Sequence, residues 1–135
     1  VLPVLEDLQV EHFIDEPGCA NLTYPRGDFI DGNPEDCGGT TGSPVQFDDV
    51  ARADHQLIKA ALAASGTPIE RVGGTFLSDG RVRDAWFMST HGAPFATSWS
   101  LEYDPEGTRS PGPAGIVTLT PVEGEQDWWF ACCAD

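Results

Sequence analysis

The sequence predicts an α+β domain in which one main helix packs on a curved, roll-like antiparallel sheet of four to five strands, behind a loop-rich N-terminal leader. Three observations lead there. An amphipathic stretch with marked ends spans 47–66, alternating segments with hairpin signals follow it, and residues 1–45 stand apart through their Gly, Pro, Asn and Asp content. At 135 residues the chain fits a single domain, 1–135, divided into the leader (1–45) and the helix plus antiparallel meander (46–135).

Within the leader, the opening VLPVLEDLQVEHFIDEP fits two patterns: a short helix from Pro3, or an edge strand with Leu8, Val10, His12 and Ile14 on one face. Turn signals then recur at Pro17-Gly18, Asp31-Gly32, Asn33-Pro34 and Gly38-Gly39, so 17–44 reads as loop. A loop that long needs anchors, and Cys19 and Cys37 lie within it.

In the helix, Phe47, Val50, Leu57, Ile58, Ala61 and Leu62 make the apolar stripe, which Asp54 interrupts. Two starts are open, a capping box over Ser43-Pro44-Val45-Gln46 or an Asp48 N-cap with Phe47 as its staple. Gly66 followed by Thr67-Pro68 stops it.

Strands over 69–78 and 81–90 flank Asp79-Gly80, a two-residue hairpin signal. A type I′ turn there pairs Ser78 with Arg81, Leu77 with Val82, Phe76 with Arg83, Thr75 with Asp84 and Val72 with Phe87. Gly73-Gly74 then falls in mid-strand and predicts a bulge or bend. Phe95, Thr97, Trp99, Leu101 and Tyr103 alternate with small or polar residues as a half-buried strand does, and two further strands fall over 116–120 and 127–133. This layout is similar to cystatin-like and related rolls in architecture alone, because Val72-Gly73-Gly74 lies inside a strand rather than at a hairpin tip. Fold likeness carries no activity with it.

Four cysteines, Cys19, Cys37, Cys132 and Cys133, with no CxxC spacing, read as a disulfide framework and hence as an exported protein, extracellular or periplasmic. Adjacent strand residues face opposite ways, so bonds from both leader cysteines to the last strand are favoured. The rival is a local Cys19–Cys37 bridge.

The formal net charge is -15, from 22 acids against 7 bases. A field of that sign repels phosphate backbones and anionic lipid, and no apolar run is long enough for membrane insertion. It suits a protein partner that is basic. Among glycines, Asp28, Asp31 and Asp36 are hard-oxygen ligands of the calcium type, but their spacing is not that of an EF-hand. No other cofactor is expected.

No nucleophile elbow, phosphate loop or metal-spaced histidine pair is present, so no catalytic residue is assigned. Aromatics carry the functional reading instead. Trp86 and Met88 project to one face of the hairpin while Ala85 and Phe87 project to the other, and Trp128 and Trp129 must likewise diverge. One helix covers one face only. Either the leader folds over the outer face or tryptophans remain there as a patch, so Trp86, Trp99, Trp128 and Trp129 are the candidate contacts of a non-catalytic protein-binding domain. The alternative is a small enzyme or small-ligand roll, with a pocket between helix and sheet near His55, Asp84 or His91.

Overall fold

The computed structural model describes residues 1–37, 43–66, 68–89, 99–106 and 118–132. Their order is α1 (Leu2–Leu8), β1 (His12–Glu16), β2 (Cys19–Tyr24), β3 (Gly27–Asp31), a 3-10 turn (Pro34–Cys37), β4 (Val45–Gln46), α2 (Asp49–Ala64), β5 (Arg71–Phe76), β6 (Val82–Ser89), β7 (Trp99–Tyr103), β8 (Thr118–Pro121) and β9 (Trp128–Cys132). Among the described residues the strands form one nine-stranded sheet ordered β4-β3-β2-β1-β5-β6-β7-β9-β8. The β3–β4 pair is parallel and the others are antiparallel.

This corrects the expected helix on a four- to five-stranded antiparallel sheet. The leader is not a loop; it supplies four strands and a helix. Its turn residues are hairpin turns: Pro17-Gly18 joins β1 to β2 with Gly18 at φ 81, and Pro25-Arg26 joins β2 to β3. The strands between them are so short that dense turn signals mask them. The opening segment uses both of its patterns in succession, helix to Leu8 and strand from His12, with Gln9 in the left-handed conformation as the break. That strand is central, between β2 and β5, and not an edge.

Helix α2 starts at Asp48, whose side chain accepts from the Ala51 N–H, and stops before Gly66 at φ 77. Its buried residues are Ala51, His55, Ile58 and Leu62. Val50 and Leu57, expected in the stripe, are more than half exposed. Two polar anchors turn the helix this way. Arg26 holds Asp48 at its start, and the Tyr24 hydroxyl donates to Asp54 at 2.6 Å.

Both helices lie on one face of the sheet, the inner face. The core there joins Leu5 and Val10 of the α1 region, Phe13, Leu22, Phe29, Val72 and Phe87 of the sheet, and Ile58 and Leu62 of α2. Helix α1 is pinned to the β5–β6 hairpin, where Gln9 Nε2 donates to the Gly80 carbonyl and the Val82 N–H donates to Glu6.

In that hairpin the Leu77 N–H meets the Arg81 carbonyl and Gly80, at φ 88, closes a three-residue loop. The expected pairings of Ser78 with Arg81, Leu77 with Val82 and Phe76 with Arg83 are therefore absent. A bulge between Thr75 and Phe76 absorbs the slip, and Thr75–Asp84 and Val72–Phe87 pair as the sequence predicts.

Cys19 bonds Cys37. The leader cysteines are therefore not bonded to the last strand, because β2 lies five strands from β9 in the sheet. The bridge holds the 3-10 turn over one end of the outer face, where Ile14, Cys19, Ile30 and Cys37 form a second buried cluster. No described helix is long and apolar enough to cross a membrane.

Candidate functional site on the outer face of the sheet

Strand register builds the site. Residues paired across neighbouring strands share a face, and one row runs Asp28, Thr23, His12, Gly73, Trp86, Glu102, Trp129 across seven strands. It lies opposite the helices. The leader extends the sheet edgewise rather than folding over this face, and among the described residues only the 3-10 turn covers part of it, at the β1–β3 end. Trp86, Glu102, Trp129 and His12 are half-buried.

Glu102 stands between two tryptophans, paired to Trp86 on one side and Trp129 on the other. Because β7 alone separates their strands, the two tryptophan backbones stand roughly 10 Å apart. Ser100, two residues back on the same face, places its hydroxyl 3.5 Å from the Glu102 carboxylate.

Trp86 is seated by Gly73. The indole lies across that glycine's backbone, in the space a Cβ would occupy. On its far side the His12 ring has its centroid 6.0 Å away. His12 Nδ1 meets Asn21 Oδ1 at 3.1 Å, while the Asn21 amide donates at 2.8 Å both to Asp28 and to the Phe29 carbonyl. With both amide hydrogens committed to acceptors, only the amide oxygen is left for His12, so Nδ1 carries the proton and Nε2 keeps its lone pair in the neutral ring. Thr23 adds a second donor to Asp28, at 2.9 Å.

Acids outnumber bases among the described residues of this face. Asp28, Asp84, Glu16 and Glu102 lie on it, against Arg71, which is bound to Glu16 at 2.6 Å. That contact holds the Glu16 carboxyl below its ordinary pKa.

The four tryptophans of the sequence reading do not gather in one place. Trp86 and Trp129 share the outer row; Trp128 turns to the core, against Phe87 and Tyr103. Trp99 enters through its backbone pairing with Ser89 and Cys132. His91 and Cys133 lie outside the described residues.

Asp28 and Asp31 fall on opposite faces of β3, Asp28 bound by Asn21 and Thr23 and Asp31 lying 3.8 Å from Arg52, while Asp36 is in the 3-10 turn. Among the described residues no three metal-ligating side chains converge.

His55 and Asp84, two of the three residues near which a pocket was expected, do not line one site together, since they lie on opposite sides of the sheet. His55 is core: it stacks on Phe13 at 4.5 Å, meets Phe47 edge-on at 5.3 Å, and its Nε2 donates to the Ile14 carbonyl at 3.0 Å.

Glu102, His12 and Asn21 were not singled out from sequence. For the last two a signal existed: reading Pro17-Gly18 as a two-residue hairpin pairs His12 with Thr23 and puts Asn21 on its diagonal. No protein family model, curated protein or solved structure matches the chain significantly.

Proposed function

We propose that this chain is an exported, acidic, non-catalytic binding domain that takes a basic segment of a protein partner on the outer face of its sheet. One observation carries the reading, the register that sets Glu102 between Trp86 and Trp129 on the face opposite the helices. Indole faces attract ammonium and guanidinium groups, and a carboxylate between two of them adds charge at the same point. Tryptophan is also a frequent anchor of protein interfaces. The surrounding acids and the net charge of -15 favour encounter with a cationic partner and disfavour nucleic acid.

Export rests on the Cys19–Cys37 bridge, a bond that persists in oxidising compartments. A calcium role in the leader is not carried forward, because Asp28 and Asp31 face apart.

The test is titration of the full chain with a short Arg-rich peptide and with its Glu-substituted counterpart, followed by tryptophan emission and calorimetry. Trp86→Ala, Trp129→Ala and Glu102→Gln should each weaken the Arg-rich peptide by about tenfold or more, and added salt should weaken binding to the wild type. Equal affinity of all four proteins, or equal affinity for both peptides, overturns the reading.

A further inference from the structure

The two helices do not reach across the whole inner face. Helix α2 ends at Ala64 and the Gly66 stop follows, and α1 is one short helix pinned over the β5–β6 hairpin. The sheet continues beyond them into β7 and β9, where Leu101 and Trp128 are only partly buried and Phe130 is 36% exposed. A cavity of about 380 Å³ opens where the helices stop, between the start of α1, the last turn of α2 and the inner side of β6, β7 and β9. Leu2, Leu62, Ile69, Phe87, Leu101 and Trp128 form its walls.

We infer that this cavity is a binding site for a neutral, apolar small molecule. Its size lies within the range of small-molecule sites, roughly 300–1,000 Å³. A dry cavity of about 150 Å³ takes benzene, so this one suits roughly 15 non-hydrogen atoms by the same scale.

The walls set the chemistry. Among the described residues lining the cavity no side chain is ionisable, and Ser65 donates its hydroxyl to the Leu62 carbonyl at 2.6 Å. A charged ligand entering here loses its hydration with no charged side chain among the described lining residues to meet, and an anion also meets the field of a chain at -15. Water fares little better, because it needs two or more polar partners to be held in such a space. Apolar surface gains from entry, and one wall is aromatic, the Trp128 ring braced by Phe87 at 5.6 Å and Tyr103 at 5.4 Å between centroids.

The cavity is on the inner side of the sheet and the Trp86–Glu102–Trp129 row on the outer side, so the two readings stand or fall separately.

The probe is phenylnaphthylamine, a neutral dye that brightens in apolar surroundings and accepts energy from tryptophan. The wild type should bind it saturably, with transfer from tryptophan. Leu101→Trp fills the cavity and should weaken the dye by about tenfold while preserving the melting temperature. Ile69→Phe fills it from the opposite wall and serves if Leu101→Trp does not fold. Decanol should displace the dye, and decanoate at equal concentration should not. Absence of saturable binding, unchanged binding in a folded filled variant, or displacement by decanoate equal to that by decanol overturns the inference.

Discussion

The Trp86 indole rests on the backbone of Gly73, its cross-strand partner, where any larger residue would place its Cβ inside the ring. The glycine is used for space and not for an unusual backbone angle, since its φ lies outside the left-handed range. Gly73→Ala should therefore lift the indole from the sheet, at a cost of about 1–3 kcal/mol in denaturant unfolding, typical of overpacking. Trp86 emission should shift to the red. If Gly73→Ala leaves both stability and emission unchanged, the seating described for Trp86 is wrong.

Part of this architecture was legible in the chain and part was not, for reasons that divide by range. Thr75–Asp84 and Val72–Phe87, the opposed faces of Trp86 and Phe87, and the Asp48 cap depend on neighbours close in sequence, and each could be read. The face α2 buries could not, because Val50 and Leu57 compete with Ala51 and His55 for the core, and the outcome depends on Tyr24 and Arg26, more than 20 residues away. The outer row was hidden for a related reason. Chain order suggests β8 beside β7, whereas β9 lies between them, and only that exchange puts Trp129 next to Glu102.

The Cys19–Cys37 bridge clamps the 3-10 turn onto β2 and closes a separation of 18 residues. A loop of that size restrains the unfolded chain enough to stabilise the fold by about 3 kcal/mol, and both sulfurs sit in a buried cluster with Ile14 and Ile30. The double variant Cys19→Ser/Cys37→Ser should lose at least that amount, because it also buries two hydroxyls. A non-reducing peptide map of the wild type should recover residues 19 and 37 in one linked fragment. Linkage of either to the C-terminal cysteines would contradict the fold of the leader.

Glu16 and Arg71 join β1 to β5 on the outer face through two hydrogen bonds, at 2.6 and 3.0 Å. The guanidinium contact, against an opposing desolvation cost, brings the Glu16 carboxyl below its ordinary value of 4.5. The folded state thus binds its proton less tightly than the unfolded state does. The stabilisation is full above pH 4.5 and is lost as pH falls through the lowered folded value, where both states become protonated. With both side chains partly open to solvent its size is on the order of 1 kcal/mol. In acid titrations of unfolding free energy, Glu16→Gln should be less stable than wild type at neutral pH and converge on it in acid. Parallel curves would mean that the pair contributes no acid sensitivity.

Tyr24 ties the β2–β3 hairpin to α2, donating its hydroxyl to Asp54 while accepting from Arg26 at 3.1 Å. The phenol is buried, and burial first, then the Asp54 contact, raises its pKa above the ordinary 10.0. Here the sign reverses. A raised folded value gives stability that is complete below pH 10 and disappears as pH climbs through that value, where the phenolate would face Asp54. Tyr24→Phe removes a bond to a carboxylate and should cost about 1.5–3 kcal/mol near neutrality. Asp54→Asn retains an acceptor and should cost less. Phenolate absorbance of the folded wild type should contain a late-titrating component that Tyr24→Phe lacks, and its persistence in that variant would reassign the late component to another tyrosine.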